Sequence, residues 1–231
     1  MSLAVVFFVG ATVSTLLVGF SFARTRQRSV SYVGWGLVAT GIAFGFWTIA
    51  RVVNPEEQGD LEIWVTIGVF FLLVGLLSFL LSWATSLHPQ ERNLVLVAAV
   101  LYAVVLIAVR SIYPSEPFID EDGVLFFNPH GAVAALEIGA LTGAVLPAIF
   151  EIARRLRALY ALIAKVAITT LLVSGIVLTS SLNKVLITIA SVVMAAALLA
   201  LPGAFVVRQP RVWLEGVDEA GRRSGAGASG A

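Results

Sequence analysis

Two ionisable residues interrupt long apolar runs in this chain, Glu137 and Lys165. A carboxylate about seven residues, or roughly 10 Å, inside a membrane helix is costly unless it is paired, protonated or hydrated. An ammonium about 12 Å from the opposite surface either snorkels along its own stem or finds a counter-ion. In a hydrocarbon core about 30 Å thick their heights differ by roughly 8 Å, little more than a lysine stem. One expectation is therefore a Glu137–Lys165 polar centre that binds a ligand or passes an ion. Arg51, at the outer end of the second apolar run, is an alternative partner for Glu137, and Arg110 could reach it from the fourth. The competing expectation is structural, with Lys165 at the headgroups and Glu137 bonded to a neighbouring helix, because one ion pair can orient helices without binding anything.

Two other patterns bear on function. Thr169, Thr170, Ser174 and Thr188 belong to a concentration of hydroxyls in the last two runs. They would line a polar path, or bond their own backbone as Ser and Thr commonly do in membrane helices. Gly131, Ala135, Gly139 and Gly143 recur at steps of four, a small face that lets another backbone approach. Packing inside the molecule is the first expectation for this face, and contact with a second copy or a membrane partner the other.

Chemistry of other kinds has no residues to carry it. The two histidines, His88 and His130, fall on opposite sides of the membrane and cannot share a metal, and there is no cysteine. Metallohydrolase, nucleophile-elbow and phosphate-cradling motifs are all missing. Neither metal nor cofactor is expected, and the reading is non-enzymatic. A net charge of +1 offers no field for nucleic acid.

The elements that must hold these residues follow from composition. Of the 231 residues 59% are hydrophobic and 13% charged, and mean hydropathy is +0.96. Soluble domains carry roughly a quarter charged residues, so lipid must solvate most of this surface. Runs of about 20 apolar residues, enough to cross a bilayer, occupy 3–23, 31–53, 62–84, 92–111, 130–150, 158–179 and 184–207. The fold class expected is thus an all-α integral membrane protein, seven transmembrane helices in one compact bundle over 1–207. Connections on one side hold Arg24, Arg26, Arg28, Arg92, Arg154, Arg155, Arg157, Arg208, Arg211, Arg222 and Arg223, whereas the other side holds Arg51, Arg110 and Lys184. Cytoplasmic loops keep the positive excess, which puts the N-terminus outside and the C-terminus in the cytoplasm of a cell-membrane protein. Residues 1–23 lack a basic region in front and read as an uncleaved anchor. In the outer loop 112–129, Asp122-Gly123 between apolar runs predicts a short β-hairpin, and Asn128-Pro129 predicts a cap and first turn for span five. The tail 208–231 is expected to be disordered from about 215.

This layout resembles, in topology and without a shared motif, the seven-span sensor regions fused to some prokaryotic kinases. Microbial rhodopsins share the span count and orientation, but their retinal lysine lies in the middle of the last span, and here Lys184 stands at its edge with Lys165 in span six. The functional expectation is a sensor-like or partner-binding membrane module for a lipophilic or small ligand. The alternative is a small transporter or channel with a polar path near Glu137 and Lys165. The lipid bilayer is the one certain neighbour, with a membrane protein or second copy as partner through the small faces.

Overall fold

The computed structural model describes residues 3–24, 26, 28–53, 58–119, 125–155, 166, 169–170, 173–177 and 183–206. Lys165, the Asp122-Gly123 turn expected from the sequence and the tail 208–231 lie outside them. The chain is mostly helical. The described helices are α1 (Leu3–Ala23), α2 (Arg28–Val53), α3 (Gln58–Ala84), α4 (Pro89–Ile112), α5 (Gly131–Arg155) and α6 (Lys184–Val206), with further helical backbone at 173–177. Three of them, at Arg28–Val53, Asp60–Ala84 and Pro89–Ile112, are long and apolar enough to cross a membrane. Shorter apolar stretches run over Val9–Ala23, Gly131–Pro147 and Lys184–Met194.

Helix starts are set by local chemistry. Pro89 opens α4, where a missing N–H costs nothing, and the Glu91 carboxylate accepts from the His88 amide at 3.3 Å. Asn183 Oδ1 accepts from Val185 and Leu186 N–H at 3.0 and 3.3 Å, capping α6. The start of α5 departs from expectation. Asn128 does not cap it but adopts a left-handed φ of 38°, a conformation asparagine tolerates better than most residues. The helix begins two residues beyond Pro129, and the His130 imidazole Nδ1 accepts from the Ala132 amide at 3.3 Å.

Packing is tightest among the first three helices. Helix α2 lies between α1 and α3 along its length. At one end Gly34 meets the backbone of Phe22 and Ala23 so closely that a Cβ would collide with it, and Ser31 Oγ donates to the Ala23 carbonyl at 2.9 Å. Thr15, Thr40 and Thr48 turn their hydroxyls back to the carbonyls four residues earlier, so these polar groups are satisfied within their own helices.

Near the other end the main core gathers Phe44 and Trp47 from α2, Leu61, Val65 and Val69 from α3, and Ile187, Ala190 and Met194 from α6. Two short strands, β1 (Phe118–Ile119) and β2 (Leu125–Phe126), pair antiparallel across this end, with Phe118 opposite Phe126 and Ile119 opposite Leu125. Leu125 is fully buried among the helices, and the Phe127 ring meets Trp47 edge-on at 4.9 Å. A smaller cluster of Leu76, Leu141 and Ala144 joins α3 to α5. Helix α4 is the least embedded of the described helices: among the described residues its main contacts are with α3 and α5, and its one buried residue is Leu106.

Candidate functional site

Helix α4 approaches its end at Ile112 with Arg110 in the last turn, and α5 carries Glu137 in its second turn. Tyr113, just past α4, stacks on His130, just before α5, at 4.3 Å between ring centres. That contact holds the facing ends of the two helices together and brings the charged residues within reach. Arg110 Nη1 donates to Glu137 Oε1 at 2.6 Å, with side chains 16% and 11% exposed. A bond this short between ionised partners in a mostly dry site belongs to the strong class of charge-assisted hydrogen bonds.

A second polar contact converges on the same place. Tyr102 Oη donates to the Leu136 carbonyl at 2.7 Å. Tyr102 and Arg110 are eight residues apart, or about 12 Å along a helix, yet they grip adjacent residues of α5. Gly139 makes room for the phenol, since a Cβ there would run into Tyr102 Oη. Two long side chains of α4 therefore close on one turn of α5, Leu136 to Gly139. Elsewhere α4 presents Leu94, Val97, Leu101, Val104 and Ile112 outward, each at least 57% exposed.

The residues singled out from the sequence are distributed unevenly about this point. Glu137 is engaged by Arg110 and not by Arg51, because α2 packs against α1 and α3 while α5 packs against α3 and α4. Arg51 lies at the end of α2, half-buried. The proposed contact with Lys165 lies outside the described residues. Of the hydroxyls, Ser174 is buried and Thr170 half-buried, whereas Thr169 and Thr188 are exposed, so the four do not share one interior face. The small face is not a packed seam: Gly131, Ala135, Gly139 and Gly143 are all exposed, Gly131 and Gly143 have open space where a Cβ would stand, and Gly139 receives a phenol rather than a backbone.

Sequence reasoning missed Tyr102, which lies in the middle of its apolar run, and Tyr113, which looks like an ordinary interfacial aromatic. For Tyr102 the available signal was a hydroxyl-bearing ring about ten residues inside an apolar run, where it needs a hydrogen-bond partner. Among the described residues no cluster of three or more metal-ligating side chains occurs. Chemically, the Glu137 carboxylate can pair with a cation and the Arg110 guanidinium with an anion, so either partner is a point at which a charged group could compete for the pair. Comparison with protein-family models, with curated proteins and with solved structures finds no match to this chain.

Proposed function

We propose that this chain is a sensor-like or partner-binding module of the cell membrane. In this reading seven helices cross the bilayer, the N-terminus is outside and the C-terminus is cytoplasmic. Helix α4 is its responsive element. The observation that supports this is the contrast within α4, whose apolar surface is almost wholly outward while polar grips hold it at one turn of α5. A helix attached in this way has lipid as its main neighbour, so a lipophilic ligand or membrane partner that binds it in a shifted position moves the population toward that position. The Arg110–Glu137 pair sets the resting state. A transport path would need Glu137 to share a polar interior with Thr169, Thr170, Ser174 and Thr188, and the exposure of Thr169 and Thr188 favours the sensor reading.

The test uses spin labels at Phe20→Cys on α1 and Leu94→Cys on α4, both exposed positions in a chain without native cysteine. Glu137→Gln is expected to move or broaden the α1–α4 distance distribution in lipid nanodiscs while folded yield stays close to that of the parent. An unchanged distribution accompanied by lower detergent stability would reduce the pair to a structural tie and remove the reading.

A further inference from the structure

The opposite end of α4 borders a cavity of about 580 Å³ between α2, α3 and α4, lined by Arg28, Ser29, Tyr32, Leu81, Thr85, Arg92, Asn93 and Leu96. Its volume is in the range of small-molecule sites. Arg28 is the first residue of α2, and Arg92 and Asn93 are in the first turn of α4. Two helix N-termini therefore add their partial positive charge to two guanidinium groups. The one acid in that turn of α4, Glu91, is occupied by the His88 amide and does not line the cavity. The wall is fixed, because Ser82 Oγ of α3 donates to the Ser29 carbonyl of α2 at 2.8 Å. Tyr32, Thr85 and Asn93 supply neutral hydrogen-bonding groups.

We propose that this cavity binds the phosphodiester headgroup of an anionic phospholipid from the adjacent leaflet, which is the cytoplasmic leaflet in the orientation proposed above. Arg28 and Arg92 take the phosphate, for which the planar guanidinium is well shaped. The apolar continuation of the site selects a lipid over free phosphate. Leu96 in the cavity wall is followed by Val100, Val104 and Ile107 at steps of four, four and three, one face of α4, and these three are 54%, 57% and 52% exposed. An acyl chain would lie along that row. Basic pockets between membrane helices recognise anionic headgroups by the same combination of charge and depth. The proposal stands apart from the role assigned to the Arg110–Glu137 pair.

Native mass spectrometry of the full chain in neutral detergent tests it, with phosphatidylglycerol and phosphatidylcholine as probes. A one-to-one phosphatidylglycerol adduct is expected, bound about tenfold or more tightly than phosphatidylcholine. The double variant Arg28→Gln/Arg92→Gln should lose that preference, whereas Arg24→Gln/Arg26→Gln, which removes the same charge from outside the cavity lining, should keep it. Equal binding of the two lipids, or equal loss in both double variants, would overturn the site. Displacement of the lipid by millimolar inorganic phosphate would overturn the choice of a lipid. Should the first variant fail to fold, headgroup preference and phosphate competition on the parent chain decide the matter.

Discussion

Tyr102 on α4 donates a 2.7 Å hydrogen bond to the main-chain carbonyl of Leu136 on α5, the residue directly before the Glu137 that Arg110 holds. A helical carbonyl has a second lone pair free after its own i+4 bond, so it can accept the phenol without opening α5. The tie between the two helices is therefore compatible with an intact helical ladder on both sides.

Removing that phenol tests the tie directly. Tyr102→Phe keeps the ring and should cost about 0.5–1 kcal/mol, the usual worth of an interhelical hydrogen bond in lipid. Gly139→Ala should reach at least the same loss by displacing the ring. Reversible unfolding in mixed micelles gives both numbers, and additive losses in the double variant would show that the two residues do not act through one contact.

The charged pair should show strong coupling. Glu137→Ala or Arg110→Ala alone leaves a mostly buried charge without its partner, at a cost of about 3–5 kcal/mol. The double variant should recover part of it, with a coupling energy of about 1–3 kcal/mol in a double-mutant cycle. A coupling near zero would mean that the pair contributes nothing to the union of α4 and α5.

Two glycines, one outside the small face and one on it, should behave oppositely. Gly34→Ala drives a Cβ into the backbone of Ala23, which cannot rotate away, and should destabilise by about 1–3 kcal/mol or more. Gly143→Ala, with open space around it, should be neutral or gain up to about 1 kcal/mol of helix propensity. Thermal denaturation of the two variants side by side gives the comparison.

The topology proposed for the seven spans makes a labelling prediction. A cysteine at Asp122 should react with a membrane-impermeant maleimide on intact cells, and one at Ser224 should react only after the membrane is opened. The native chain, having no cysteine, gives no background. The reverse pattern would invert the orientation.

Much of the site was legible because charge inside an apolar run is rare: Glu137 stood out by depth alone. Its partner was harder to choose, since Arg51 and Arg110 end their runs at similar heights and sequence does not reveal that α3 separates α2 from α5. The small face was ambiguous for a related reason. Glycine permits close approach without specifying who approaches, and the backbone that makes the tightest contact is at Gly34, where no four-residue stripe advertises it. Asn128 before a proline looked like a cap, but its backbone turns left-handed and passes that task to His130. The cavity at Arg28 and Arg92 was hidden because the two arginines, 64 positions apart, were legible only as part of a charge count.

Leu125 has no exposed surface, although it belongs to a two-residue strand outside any helix. It belongs to one core cluster with Trp47 and Val65, from the first third of the chain, and Ile187, from its last fifth. The core at that end therefore cannot close while only α1 to α3 have been made, because its central plug is synthesised after α4 and its far wall only with α6. Chain order dictates when this core can close: the hollow between the early helices is completed only once β2 and then α6 have been made. Any factor that shelters the hollow during that interval has a defined window in which to act.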